Sequence, residues 1–180
     1  MRSKAVALIL TSVALVSLFA VATSAKNKQG RFAASLNGYQ EVPSISTPAT
    51  GELRARVIRT ASGPTLSYRL EYRNIQNAVA AHIHLGQTAV NGGVSAFLCG
   101  GGDTPACPPT GGTVTGTIEA SDVVGPSPQG IAPGEIAELI KAIQAGVTYA
   151  NVHTSDGNDD PGDPTGPGDL PTGEIRGQLS

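Results

Sequence analysis

The chain owns three histidines, and all of them fall in strand-like runs: His82 and His84 in Ala80-Ala81-His82-Ile83-His84-Leu85-Gly86, and His153 in Tyr149-Ala150-Asn151-Val152-His153-Thr154. Side chains alternate faces along an extended strand, so His82 and His84 point the same way with about 7 Å between their α-carbons. That spacing suits two imidazoles converging on one ion or anion. His153 completes a nitrogen-rich set if its strand neighbours the first, and zinc or copper are the natural ions for such a set. Protons compete for the same nitrogens, so metal affinity is expected to fall as pH drops through about 6.5.

The elements that must position these rings read as β-strands. The clearest is Thr65 to Arg73, where Leu66, Tyr68, Leu70 and Tyr72 alternate with Ser67, Arg69, Glu71 and Arg73, one face core and the other wet. Gly51 to Arg59 sets Leu53, Ala55 and Val57 against Glu52, Arg54 and Arg56, and the Ser62-Gly63-Pro64 break joins the two runs as a hairpin. The outward arginines either form a binding patch or pair across the strands with Glu52 and Glu71, the more ordinary arrangement. Further strands are expected at 31–36, 80–85, 93–98, 113–119, 147–153 and 173–179. One short helix is expected over about 133–145, because Pro133 fits a first helical position, Ile136, Leu139, Ile140 and Ile143 repeat at i, i+3, i+4 and i+7, and Gly146 is a good stop. Scarce aromatics, abundant glycine and proline, and short alternating runs together predict an all-β fold, an antiparallel β-sandwich or flattened Greek-key barrel.

Arg2 and Lys4, an apolar run from Ala5 to Ala22 and the small residues Thr23, Ser24 and Ala25 read as a secretory signal peptide cleaved after Ala25, with Ala22 as the alternative site. A single membrane anchor is the competing reading. Residues 26–180 then form one domain, secreted or periplasmic, with ten Lys and Arg against fourteen Asp and Glu, a formal charge of −4. That balance argues against nucleic acid as a partner, and cleavage leaves no membrane segment. Cys99 and Cys107 are the only cysteines. In an oxidising compartment they are expected to form a disulfide closing the loop Gly100 to Ala106, with free thiols or metal ligation as the alternatives. The Asp156 to Asp169 segment is dense in carboxylates, but its spacing matches no calcium loop, so it is read as a solvated surface loop.

Four segments resemble the CHRD domain, named for chordin and also found alone in exported microbial proteins: Gly38-Tyr39-Gln40-Glu41-Val42-Pro43, then Ala81-His82-Ile83-His84-Leu85-Gly86 with Asn91-Gly92, then Gly146 to Thr154, and the closing Gly173-Glu174-Ile175-Arg176-Gly177-Gln178-Leu179. The resemblance runs from about Arg31 to Leu179 and implies an extracytoplasmic all-β domain without supplying an activity. Chordin's cysteine-rich repeats are absent, so growth-factor binding does not carry over. If the four segments converge, Glu174 is the candidate fourth metal ligand, with water or a substrate as its competitors. Glu41, Asn151 and Arg176 are then the expected surrounding polar groups. Without a metal, the same groups hold the histidines in a hydrogen-bonded network, and a Glu174–Arg176 pair could fix an imidazole's tautomer.

Outside the histidines there is no nucleophile elbow, phosphate-binding glycine loop or zinc-protease motif, so no catalytic residue is assigned. The leading expectation is an exported binding or structural domain with one copper or zinc site, its partner a protein or small ligand. A mononuclear metal enzyme and a purely structural envelope domain are the alternatives.

Overall fold

The computed structural model describes residues 30–155 and 173–180. The expected signal peptide and the Asp156–Asp169 segment lie outside the described residues. Eight strands, β1 (Arg31–Asn37), β2 (Thr50–Thr60), β3 (Gly63–Arg73), β4 (Ala78–Leu85), β5 (Val94–Cys99), β6 (Gly112–Ile118), β7 (Thr148–Thr154) and β8 (Ile175–Gln178), and one helix, α1 (Ile136–Gln144), make up the fold. All strand pairings are antiparallel, in the order β5-β4-β7-β8-β1-β2-β3-β6. The sheet wraps until its two edges nearly meet, which is the flattened-barrel form of the expected all-β fold. Across that seam the Tyr68 hydroxyl of β3 donates to the Leu98 carbonyl of β5 at 2.7 Å, and Ala96 bridges to Val123 just beyond β6. Gly116 stands opposite Tyr68 in register, and a β-carbon there would press 2.5 Å from the Tyr68 hydroxyl, so only glycine lets the ring pass.

Period-two patterning fills the interior as the sequence predicts. Phe32, Ala34 and Leu36 of β1, Leu53 and Ala55 of β2, and Leu66, Tyr68, Leu70 and Tyr72 of β3 are all buried, each large side chain contributing on the order of 1.5–3 kcal/mol. Helix α1 buries Ile136, Leu139, Ile140 and Ile143 against the same core. It starts at Ile136 rather than near Pro133, because Gly134 takes a left-handed φ of +88° while its N–H donates to the Val123 carbonyl. Among the described residues no helix is long and apolar enough to cross a membrane.

The expected cross-strand ion pairs are not formed. Arg54 stands opposite Arg69 and Glu52 opposite Glu71, so the pairs run along each strand instead, Arg54 to Glu52 and Arg69 to Glu71, both at 2.9 Å. The face is solvated, but its charges are sorted by row.

Cys99 and Cys107 are disulfide-bonded, with 5.1 Å between their α-carbons. Gly101 inside the loop packs on the Phe97 ring, and a β-carbon there would overlap it. The staple therefore supports a residue that touches the histidines. Closing so short a loop is worth about 2–3 kcal/mol by loop-closure entropy. Urea unfolding of the Cys99→Ser/Cys107→Ser chain is expected to show a loss of that size with the fold retained; an unchanged midpoint would contradict it.

Candidate metal centre

The three histidines meet on the outer face of the barrel, on adjacent strands. β4 pairs with β7 in a register that sets His82 opposite Asn151, Ala80 opposite His153 and His84 opposite Tyr149, so all six side chains share one face. One ligand atom from each of His82, His84 and His153 lies within 4.8 Å of the other two. The rings meet edge-on or tilted, not stacked: centroids are 4.9 Å apart for His82 and His153, 5.4 Å for His82 and His84, and 6.4 Å for His84 and His153. Register shifts between β4 and β5 fall beside His82 and His84, and β5 contributes Phe97, whose ring meets His82 edge-on at 4.8 Å.

Nδ1 of His82 and Nε2 of His153 are buried with no hydrogen-bond partner among the described residues, and Nε2 of His84 is buried with the Asn151 side chain as its polar neighbour. Such orphans are costly in a folded protein. For His84 the tautomer is explicit. Its Nδ1 lies 2.9 Å from the Gly92 carbonyl, an acceptor only, so Nδ1 carries the hydrogen and donates. The neutral ring then carries its lone pair at Nε2, the arrangement that orients metal-binding imidazoles elsewhere. Gly92 reaches this position because its loop folds back on β4 so closely that a β-carbon would overlap the Leu85 carbonyl.

Arg176 holds that loop in place. It is 1 % exposed, and its guanidinium donates to the Gln87 carbonyl at 3.1 Å, the Val90 carbonyl at 2.9 Å and Asn91 Oδ1 at 3.1 Å. It also lies 3.4 Å from the centroid of Tyr149, whose ring stacks on His84 at 4.7 Å and 6°. The Tyr149 hydroxyl accepts from the Gly92 N–H at 3.2 Å. The chain of contacts from Arg176 through Tyr149 and Gly92 to His84 fixes the tautomer that the sequence assigned to a Glu174–Arg176 pair.

The other expected residues divide. Asn151 is buried beside the rings, directly opposite His82 and Arg176. Glu174 is buried too, but its Oε1 accepts from the Thr47 hydroxyl at 2.6 Å, and it is not one of the three mutually close ligand groups. Glu41 is 2 % exposed, its carboxylate buried with the Val42 N–H as its backbone neighbour. Burial lifts its pKa to about 7 against the opposing pull of Arg176. Sequence reasoning gave no role to Tyr149, Gly92, Phe97 or Thr47. Tyr149 was legible, since it shares the period-two face of Asn151 and His153; Phe97 and Thr47 depend on long-range pairing.

Burial holds the rings neutral, reinforced by repulsion among them. The His82 pKa falls to about 3 and that of His153 to about 4, and burial lowers that of His84 as well. The expected proton competition therefore moves to below pH 6.5, and metal affinity is predicted to hold through the usual imidazole range and to fall only at lower pH. The same shifts act on the fold. Histidines with a depressed folded pKa contribute stability that is complete above about 6.5, where the unfolded rings are neutral, and is lost as pH falls toward 4. Glu41, raised, acts in the opposite sense, favouring the fold below about 4.5 and losing that contribution as pH rises through 7. Three rings outweigh one carboxyl, so the metal-free chain is expected to lose on the order of a few kcal/mol between pH 6.5 and 4. Thermal melts across that range check it; a flat profile would contradict neutral buried rings.

The family model described as the CHRD domain matches residues 32–160, a span that holds the three histidines and ends before β8. No curated protein and no solved structure matches the chain.

Proposed function

The chain belongs to the CHRD family, and we propose that it is an extracytoplasmic binding domain that holds one zinc or copper ion at His82, His84 and His153. The observation that carries this reading is the convergence of three buried imidazoles, with Nδ1 of His82 and Nε2 of His153 lacking a hydrogen-bond partner among the described residues and Asn151 the polar side chain beside His84. Ligand atoms at most 4.8 Å apart leave an ion at their centre no more than roughly 2.8 Å from each. Shifts of under about 1 Å bring that to a zinc–nitrogen bond of about 2.0–2.1 Å. Rings that are already neutral need release no proton to bind. Glu174 remains a candidate fourth ligand through its Oε2, which has no hydrogen-bond partner among the described residues, and water is the alternative. The disulfide and the apolar leader support export.

A ligand that binds only the folded chain raises its melting temperature. Thermal melts of tag-free residues 26–180 at pH 7, with and without excess zinc or copper(II), are therefore expected to show a rise with at least one of these ions. Insensitivity to both would end the proposal.

A further inference from the structure

His84 is oriented through its Nδ1 by the Gly92 carbonyl, whereas Nδ1 of His82 has no hydrogen-bond partner among the described residues. What meets the His82 ring is aromatic. Phe97 of β5 is its direct cross-strand partner, and the two rings meet edge-on with centroids 4.8 Å apart and planes at 79°, an arrangement favoured by the ring quadrupoles. The ladder shifts register on both sides of this pair, between Ala81 and His82 and between Ile83 and His84. Such irregularities re-aim side chains. Phe97 is in turn braced by the stapled loop, since a β-carbon on Gly101 would overlap Cδ1 and Cε1 of its ring and the glycine backbone therefore lies against it. The loop is tied at several points. The Gly101 N–H donates to the Thr104 hydroxyl at 3.3 Å, that hydroxyl donates to the Gly101 carbonyl at 2.5 Å, and the Gly100 N–H donates to the Pro105 carbonyl at 2.9 Å. The disulfide anchors Cys107 to Cys99, which pairs with Ala81, the residue before His82.

We propose that Phe97, braced through Gly101 by the disulfide loop, is the positioning residue of the His82 ring, so that a loop supplying none of the three ligand nitrogens sets how tightly they hold an ion. The affinity half of this rests on the metal site proposed above; the orientation of His82 in the metal-free chain does not. A ligand ring already held in one rotamer loses less freedom when it binds. Groups that orient a metal ligand are worth about 10–100-fold in affinity, and for His82 packing takes the part that the Gly92 carbonyl plays for His84.

The test compares tag-free residues 26–180 with the variants Phe97→Leu, Phe97→Tyr and Gly101→Ala at pH 7. Three-bond couplings in the metal-free chains report the histidine rotamers, and calorimetric titration with zinc and with copper(II) reports affinity. Wild type and Phe97→Tyr, which keeps the ring, are expected to hold His82 in one rotamer. Phe97→Leu and Gly101→Ala are expected to average it over several while His84 stays fixed, and to weaken metal binding at least about tenfold. A His82 that stays in one rotamer in both of these variants, a His84 that loosens as much as His82, or wild-type affinity in both would each overturn the proposal. A wild type that binds neither ion ends the metal reading instead, and the couplings still decide whether Phe97 positions His82.

Discussion

Replacing both His82 and His84 by Ala is expected to abolish zinc and copper binding, and His153→Ala alone to weaken it by at least about 100-fold. Each ring supplies one of the three mutually close ligand atoms found among the described residues, and losing a supporting hydrogen bond around such a site already costs about 10–100-fold. His153→Ala should lose the metal response without loss of the fold, whereas the double variant also deletes the His84 bond to the Gly92 carbonyl and the stack on Tyr149 and is expected to melt lower while still folding. Nδ1 of His82 and Nε2 of His153 have no hydrogen-bond partner among the described residues, so removing these rings deletes no bond at those atoms, and at low pH it removes two groups whose protonation opposes folding. Calorimetric titration checks the affinities, and melts of the metal-free variants check the fold. Variants that keep wild-type affinity would contradict the ligand assignment; variants that melt far lower while the wild type ignores metal would support a structural network instead.

The second large effect is expected at Arg176. Arg176→Met leaves the Gln87 and Val90 carbonyls and Asn91 Oδ1 without the donors that hold them, and strands the buried Glu41 without its countercharge. Breaking a buried, hydrogen-bonded charge from one side costs about 3–5 kcal/mol. Arg176→Lys keeps the charge but cannot reach three acceptors in fork geometry or lie flat on Tyr149, so it is expected to recover only part of the loss. Urea unfolding measures both. A cost below about 1 kcal/mol for Arg176→Met would show that the loop over His84 does not depend on this guanidinium.

Most of the barrel was legible because its faces are cleanly divided. Leu66, Tyr68, Leu70 and Tyr72 alternate with polar residues without a break, and the strand emerges two residues longer than read. The helix start was misplaced because a proline near a first turn looks the same whether the next residue enters the helix or, as at Gly134, turns away from it. Charge pairing on the β2–β3 hairpin was misread for a different reason: residue types on a face are visible in sequence, but which row meets which depends on the Ala61-Ser62 turn that sets the register.

At the site, the shared face of His82 and His84 followed from period two alone, and the meeting with His153 required β4 and β7 to be neighbours, which a chain with 62 residues between those strands does not announce. The depressed histidine pKa values were beyond reach, since they come from burial of the rings and from their mutual repulsion once β4 and β7 bring them together. So was the agent that fixes the His84 tautomer. A backbone carbonyl in a loop leaves no mark in a sequence beyond the glycine that lets it approach.

Imidazole nitrogen resonances followed through a zinc titration of tag-free residues 26–180 at pH 7 test the central claim most directly. The metal-free spectrum is predicted to show His84 protonated at Nδ1 and all three rings neutral. Zinc is then predicted to move one nitrogen of each of His82, His84 and His153 together, with Nε2 as the moving atom on His84, saturating at one ion per chain. Spectra that do not change, or that change for one ring alone, would contradict a shared metal site.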